Sequence, residues 1–299
     1  MNNVKKNFSI RDLENLSGIK AHTIRIWEKR YGLLKPERTD TNIRTYGLSS
    51  LQKLLNVTLL YHNGYKISKI AKIPEQNIPI VVREVIAKKS FKNHAINSFK
   101  LAMVNFDQTI FFETYNNLIS EGSFREVFKN TFIPLLNEIG LLWQTDTISP
   151  AHEHFITNLI KQKILLNTEK LQHTKPTKTD KVFVAFLPEN EIHEIGLLYL
   201  NYEIVLRGYK CINLGQTIPM ENLTDVMNYF DNIYFISYFT VVPEKDRIKK
   251  YISDFEKLVS DYENPNFWIL GRQVQHLDVA ELPPFIKTFT SIDDVVGKL

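Results

Sequence analysis

Hydrophobic positions follow a helical period through the first half of the chain and a strand-like pattern in its last third. Apolar residues at helical spacing, with few glycines, continue through residues 76–172 and predict a helical bundle. From residue 181 onward, short apolar runs alternate with helical segments, an order typical of a parallel sheet covered by helices. The predicted strands are residues 182–187, 210–214, 233–238 and 267–270.

Two polar or proline-containing stretches divide the chain. Residues 74–79 contain two prolines and read as a hinge, and the polar run at 173–180 reads as a linker. We therefore predict three domains, at residues 1–75, 76–175 and 181–299. The fold class is multidomain α and α/β, with a helical head, a central helical bundle and a C-terminal parallel sheet.

Charge separates the head from the rest of the protein. The chain has 299 residues, of which 43% are hydrophobic and 23% charged, so the composition excludes global disorder. Residues 1–75 contain 14 Lys and Arg against six Asp and Glu, whereas the remainder contains 23 against 27. A basic head on a mildly acidic body predicts binding to a polyanion, with a basic solvated surface as the alternative.

The chain has few features of a secreted or membrane protein. Its single cysteine, Cys211, excludes a disulfide framework and a thiolate zinc finger. No apolar run approaches about 18 residues, and no signal-peptide core follows the N-terminus. We expect a cytoplasmic protein with no membrane partner.

Two short helices in the head have the signals of a helix-turn-helix. Ser9 and Asp12 are spaced as a capping box, the first helix ends at Gly18, and a second helix begins near Lys20. On the second helix, Ile24 and Trp27 are expected to face the core. Thr23, Arg25 and Lys29 then lie nearer the exposed side, where side chains can meet base edges and phosphates.

A set of motifs in the head points to a known family. The motifs are Trp27-Glu28, Arg30-Tyr31-Gly32-Leu33, Arg44-x-Tyr46 and Gly64-Tyr65-Lys66-Ile67-x-x-Ile70. Residues 7–73 thereby closely resemble the winged helix-turn-helix domain of MerR-type transcription regulators. The resemblance implies that the second helix reads the major groove of double-stranded promoter DNA, while a wing contacts the DNA backbone. The implied DNA-binding residues are Thr23, Arg25, Lys29, Arg30, Arg38, Arg44 and Tyr46.

The loop after the first predicted strand contains a candidate metal ligand. In the motif Glu191-x-His193-x-x-Gly196, one ring nitrogen of His193 can bind a metal while Glu191 accepts a hydrogen bond from the other. Gly196 would allow a ligand to approach the start of the next helix closely. Without further context, a loop histidine is more often simply solvated.

Later motifs strengthen the metal-ligand interpretation. Asn213-Leu214-Gly215, Ile236-Ser237 and Leu270-Gly271 each lie near a strand end. This order resembles the cobalamin-binding domain across residues 181–299, which implies a Rossmann-like (flavodoxin-like) sheet. The resemblance makes His193 the lower cobalt ligand and threads the nucleotide tail of the cofactor into the sheet. It adds Leu214, Gly215, Ser237 and Gly271 to the cofactor-binding residues.

A second motif lies at the end of the bundle, where Trp143 is followed after nine residues by Glu153-His154. With it, the whole chain resembles the light-responsive CarH/LitR branch of MerR regulators. That resemblance implies adenosylcobalamin as cofactor, with Trp143 and Glu153 packed on its adenosyl group and His154 lining the same cavity. It also implies a homo-oligomer, dimer or tetramer, whose operator binding depends on cobalamin, and no enzymatic activity.

Three positions depart from the family pattern and keep alternatives open. Gln144 stands where light-sensing relatives have a histidine, Arg272 follows Gly271 in place of a second glycine, and Phe239 replaces a more usual leucine. One alternative is a MerR-type regulator whose degenerate sensor domain serves only for oligomerisation. Another is a cobalamin-dependent enzyme module, against which the DNA-binding head and the absence of a substrate barrel argue.

Overall fold

The computed structural model describes residues 7–39, 42–88, 95–144, 147–262 and 265–299. The chain forms two compact units, Met1–Ile160 and Lys161–Leu299. None of the helices in the described segments combines the length and the hydropathy needed to cross a membrane.

The head of the first unit is a winged helix-turn-helix. Its elements are β1 (Asn7–Phe8), α1 (Ile10–Ser17), α2 (Ala21–Tyr31), β2 (Glu37–Arg38), β3 (Arg44–Gly47) and α3 (Leu48–His62). The three strands form an antiparallel sheet in the order β1-β3-β2. The predicted capping box is confirmed, since the amide of Asp12 donates to Oγ of Ser9 at 3.2 Å and the amide of Ser9 donates to Oδ2 of Asp12 at 2.7 Å. Helix α1 ends at Gly18, whose φ of 71° is the left-handed conformation that glycine adopts easily.

The rest of the first unit is helical, as predicted. It contains α4 (Ile67–Ile70), α5 (Ile78–Lys88), α6 (Ala95–Asn105), α7 (Gln108–Glu121), α8 (Phe124–Val127), α9 (Ile133–Gln144) and α10 (Pro150–Gln172), the last of which extends into the second unit. Aromatic rings form the bundle core, with the Phe99 ring 5.0 Å from that of Phe111 and 5.4 Å from that of Phe132. Helix α3 of the head contacts both α5 and α6, so head and bundle share one continuous interior.

The second unit is a five-stranded parallel sheet with helices on both faces. Its elements are β4 (Lys178–Pro188), α11 (Ile195–Leu206), β5 (Tyr209–Ile218), α12 (Leu223–Met227), β6 (Ile233–Tyr238), α13 (Ile248–Leu258), β7 (Asn266–Leu270), β8 (Ile286–Phe289) and α14 (Ile292–Val296). The strand order β5-β4-β6-β7-β8 confirms the predicted doubly wound class. The first strand begins inside the predicted linker, where Lys178 pairs with Tyr209. The fifth strand was missed because it is only four residues long and contains the exposed Lys287.

Alternate residues of β4 face opposite sides of the sheet and so divide its core in two. Val184 belongs to the cluster on the α13 face, together with Phe255, and Phe183 belongs to the cluster on the α11 face, together with Leu200. The loops at the carboxyl ends of the strands are therefore supported by a separate packed layer on each face.

Candidate functional site

Helix α2 presents a basic surface. Arg25, Lys29 and Arg30 are exposed and Thr23 is half-buried, whereas Trp27 is buried as predicted. Cations on one exposed helix provide the charge that phosphate binding requires. On the adjacent wing, Arg38 is exposed as well.

The other two predicted wing contacts meet inside the head, at Glu28. Nε of Arg44 donates to Oε1 of Glu28 at 3.1 Å, and the hydroxyl of Tyr46 donates to Oε2 at 2.9 Å. Tyr46 is fully buried, so the expectation that it contacts the DNA backbone is corrected: its hydroxyl fixes Glu28 and through it Arg44. Burial, together with the neighbouring Glu28 carboxylate, raises the pKa of Tyr46, which keeps it a donor.

A buried polar contact joins the head to the loop that follows α9. Oγ1 of Thr147 donates to Oδ1 of Asp12 at 3.3 Å, and both side chains are buried. Asp12 belongs to the capping box of α1, and Thr147 lies four residues after Trp143. No local sequence pattern indicates this contact, because the two residues are 135 positions apart.

The predicted aromatic and polar groups of the bundle lie at the end of α9 and the start of α10. Trp143 is 52% exposed, Glu153 is half-buried and His154 is exposed. The side chain of Gln144 lies outside the described residues.

Sequence reasoning missed His152, which lies in the same first turn of α10. It is buried, its Nδ1 is 2.9 Å from Oγ of Ser149, and its ring stacks on Phe106 at 4.7 Å. Burial lowers the pKa of His152, so it is a neutral packing residue that holds the start of α10.

The loop after β4 is organised around the buried carboxylate of Glu191. Oε1 accepts from the amides of Ile192 and His193, both at 3.0 Å, and lies 2.6 Å from Nδ1 of His193. Oε2 accepts from the amides of Val241 and Val242 in the loop after β6, at 2.7 and 2.8 Å. Burial alone would raise the pKa of Glu191, but the hydrogen bonds from the His193 ring and from the backbone of Val242, Val241 and His193 together lower it to about 2.

This carboxylate fixes the tautomer of His193. Because Glu191 is ionised at neutral pH, its carboxylate accepts a hydrogen bond from the Nδ1–H group of His193, and the lone pair of the neutral ring is then on Nε2. The side chain of His193 is 48% exposed while Glu191 is not. A carboxylate behind one ring nitrogen and solvent access to the ring are features of metal-ligating histidines.

Two other predicted cofactor residues have structural partners. A Cβ added at Gly196 would lie 2.7 Å from Cε2 of Tyr238, so the expected space for a ligand is occupied by the Tyr238 ring. This corrects the reason given for the glycine. Ser237 is buried within β6, where its hydroxyl donates to the carbonyl of Phe186 at 2.8 Å.

Of the remaining predicted residues, Leu214 and Gly215 lie within β5, which continues to Ile218, and Gly271 directly follows β7. Leu214 packs against the core cluster of the α13 face. Gly215 has a φ of 85°, and a Cβ there would meet no atom within 4 Å. Gly271 has a φ of 114°, and a Cβ would lie 2.4 Å from the carbonyl oxygen of Phe239. Gly215 therefore leaves open space at the sheet edge, whereas Gly271 allows two backbone segments to approach.

Comparison with known families assigns two consecutive segments. Residues 8–76 match the MerR HTH family regulatory proteins, and residues 95–166 match the B12 binding domain. The second match covers the helical bundle, whereas the resemblance to cobalamin-binding domains had been placed on residues 181–299.

Relatives of known identity cover most of the chain. The HTH-type transcriptional repressor CarH of Myxococcus xanthus is 28% identical over 226 residues, which are 73% of this chain and 74% of CarH. The repressor CarA of the same organism is 24% identical, over 70% of this chain and 68% of CarA. Among solved structures, the monomethylamine corrinoid protein of Methanosarcina barkeri shares the fold, with a TM-score of 0.53 and 13% identity over 70% of this chain and 94% of that protein.

The basic helix-turn-helix, the family matches on head and bundle and the similarity to two repressors point to one conclusion. The head is a MerR-type helix-turn-helix, the bundle matches the B12 binding domain, and the chain is similar over 73% and 70% of its length to the transcriptional repressors CarH and CarA.

Proposed function

We propose that this regulator binds adenosylcobalamin and that the bound cofactor controls its self-association and its binding to operator DNA. The observation that carries the proposal is the pair formed by Glu191 and His193 at the carboxyl edge of the parallel sheet, where ligands bind in open α/β folds. The match of the bundle to the B12 binding domain supports a cobalamin as the ligand.

The residues at this edge fit a cobalt corrinoid. The Nδ1 hydrogen bond to Glu191 leaves Nε2 of His193 as the nitrogen that would bind cobalt, and the buried carboxylate raises the basicity of the ring. When bound, adenosylcobalamin would supply two things: a cobalt ion that can bind such a nitrogen, and a light-sensitive bond between cobalt and the adenosyl group. On the bundle, Trp143, Glu153 and His154 are the residues that we propose contact the adenosyl group.

DNA binding is assigned to α2 and the wing. We propose that Thr23, Arg25, Lys29 and Arg30 face the major groove, where Arg25 contacts a base edge. Arg38 contacts phosphate, and Arg44, held by Glu28, supports the wing. Two heads in one oligomer bind a two-part site more tightly than one head, because the second binding step is intramolecular.

The contact between Thr147 and Asp12 provides a route from sensor to head. Thr147 follows the segment that contains Trp143, and Asp12 caps α1, which packs against α2. A rearrangement of the loop between α9 and α10 would therefore displace α1 and the DNA-reading helix that rests on it.

The response to light depends on the residue at position 144, which is a glutamine. An amide oxygen is a weaker cobalt ligand than an imidazole nitrogen. We infer that, after illumination, Gln144 would not supply a second imidazole to cobalt, so that water or His154 would be the ligand available in its place. Comparing the illuminated spectrum of the native protein with that of Gln144→His tests this. A stable two-imidazole spectrum in the native protein that survives His154→Ala would refute it.

The test of the whole proposal starts from full-length protein reconstituted with adenosylcobalamin in the dark. The visible spectrum, the elution volume and the affinity for operator DNA are measured for wild type, His193→Ala and the control His173→Ala, which alters an exposed histidine outside the site. We expect His193→Ala to change the spectrum or to weaken cofactor binding at least tenfold, and the control to behave as wild type. An unchanged spectrum and affinity for His193→Ala would remove this histidine from the site.

A second function is favoured by one observation, the Tyr238 ring that fills the space beside Gly196. It fits a sensor domain that has lost its cofactor and serves only for oligomerisation. In that case the protein stays colourless after reconstitution, and its elution volume and DNA affinity do not respond to cobalamin.

A further inference from the structure

We propose that the sheet domain has a second ligand site, a cavity of about 670 Å³ on its α13 face, that binds an organic anion with an apolar body. The cavity lies at the carboxyl ends of three neighbouring strands. Its walls include Pro188 at the end of β4, Ile218 at the end of β5 and Val242 after β6. Chain order reverses between β4 and β6, and such a switch point is where open parallel sheets form ligand crevices.

This cavity is separate from the surface next to Gly196. Tyr238 and the start of α11 belong to the α11 face of the sheet. The cavity instead contacts α13, through Tyr251 and Leu258, which pack with the opposite core cluster. The cavity and the surface next to Gly196 therefore lie on different faces of the sheet.

Tyr251 lines the cavity and carries a buried hydroxyl group. The hydroxyl oxygen is inaccessible to solvent and has no hydrogen-bond partner among the described residues. An unsatisfied buried hydroxyl is unfavourable, and an acceptor atom of a ligand that reaches it would satisfy it. Burial raises the pKa of Tyr251, so the hydroxyl remains a donor at neutral pH.

Charge is arranged across the cavity in a way that orients an anion. Arg247 and Lys250 are exposed at the N-terminal end of α13, where the helix dipole is positive. Arg247 lies 3.8 Å from Glu244, and this exposed pair is weak enough for a ligand to compete with it.

Three further acids limit where the charged group of a ligand can lie. Glu189 and Glu221 come from the strand ends opposite α13, and Asp254 lies one turn beyond Lys250. They repel an anion from the strand side and from the middle of α13, which directs the negative group to the start of the helix. Ile218, Met220, Val242, Pro243 and Leu258 provide the apolar walls. The volume is within the ~300–1,000 Å³ of small-molecule sites.

A ligand in this cavity would affect the position of His193. Val242 contributes both a cavity wall and an amide that donates to Oε2 of Glu191, and Glu189 and Asn190 directly precede Glu191. A ligand here contacts the two loops that fix Glu191. This part of the inference rests on the proposed function, since it concerns the histidine that we assign to cobalt, whereas the cavity itself does not.

The test uses 8-anilinonaphthalene-1-sulfonate, an apolar anion whose fluorescence rises in apolar sites, titrated into the full-length protein without cobalamin. We expect one saturable site per chain, with about fivefold weaker binding in Tyr251→Phe and in Lys250→Gln. Lys249→Gln is the matched control on the same helix, because Lys249 does not line the cavity and pairs with Glu281 instead. Equal affinity in all four proteins, or binding that does not saturate, would overturn the site.

The coupling to His193 is read in a separate experiment. Saturating probe is added to the cobalamin-loaded protein, and the visible spectrum and the cofactor affinity are recorded. A change of at least twofold in affinity that is absent in Lys250→Gln supports the coupling, and no change refutes it. Failure to bind cobalamin at all would refute the proposed function while leaving the probe titration to decide the cavity.

Discussion

Replacing Glu191 with Gln tests a buried side chain that forms five hydrogen bonds at the carboxyl edge of the sheet. Its carboxylate accepts hydrogen bonds from four backbone amides and from the ring of His193. A glutamine offers one oxygen and one NH2 group, so whichever way the amide turns, a donor faces other donors. The substitution therefore removes the hydrogen bonds that Glu191 accepts from the loop after β4 or those that it accepts from the loop after β6.

The expected magnitude follows from the pKa of Glu191. A carboxyl group whose pKa falls from 4.5 to about 2 on folding contributes about 3 kcal/mol to stability at neutral pH. Because the folded pKa is the lower one, this contribution is complete above pH about 4.5 and is lost as pH falls toward 2. Glu191→Gln should therefore lower the free energy of unfolding by about 3 kcal/mol at pH 7, and the difference from wild type should shrink on acidification.

The assay is urea denaturation of the full-length protein followed by circular dichroism, at pH 7 and at pH 3. Glu189→Gln is the control, because it removes an exposed carboxylate from the same loop and should change the free energy of unfolding by less than about 0.5 kcal/mol. Two results would refute the reasoning: a Glu191→Gln variant as stable as wild type at pH 7, or a stability loss of the same size at both pH values.

Four further substitutions test other parts of the molecule. Thr147→Val removes the hydroxyl that donates to Asp12, so it should lower the free energy of unfolding in urea by about 1 kcal/mol. It should also weaken DNA binding measured by fluorescence anisotropy. Unchanged DNA affinity would show that this contact does not link the sensor to the head. Gly271→Ala places a methyl group 2.4 Å from the carbonyl oxygen of Phe239 at a φ of 114°, so it should lower the free energy of unfolding by about 1 kcal/mol or more. A smaller loss in urea denaturation would mean that the backbone at this position adjusts easily. Arg25→Ala should reduce the binding free energy for the operator by about 1–3 kcal/mol and relax sequence specificity. Arg38→Ala should lower the affinity for all duplexes alike and reduce the slope of log K against log salt by about 0.9. Identical behaviour of the two variants would contradict their assigned roles.

Features with short-range causes were predictable from the sequence. The capping box of Ser9 and Asp12 and the helix end at Gly18 follow from side chains within a few residues of one another. The hydrogen bond between Glu191 and His193 follows in the same way, since two positions separate them in one loop. Four strands were found because each is an apolar run with turn residues on both sides.

Features that depend on distant packing were not predictable. Tyr46 was expected on the DNA surface, but Glu28, 18 positions away, accepts its hydroxyl inside the head. Gly196 was expected to admit a ligand, but the strand that brings Tyr238 against it is 42 positions further along the chain. Local sequence determines which groups are present, and the tertiary fold determines which of them meet.

The packing of α3 against α5 and α6 has a consequence for the DNA sites that an oligomer of this protein can use. A head on a flexible tether follows its half-site wherever it lies, but a head anchored in the bundle interior cannot. Two base pairs inserted between half-sites turn the second groove by about 70° and move it by about 7 Å along the helix axis. If the protein binds DNA as the oligomer that we propose, its fixed heads require one spacing between half-sites, and an operator with another spacing would be bound by one head alone.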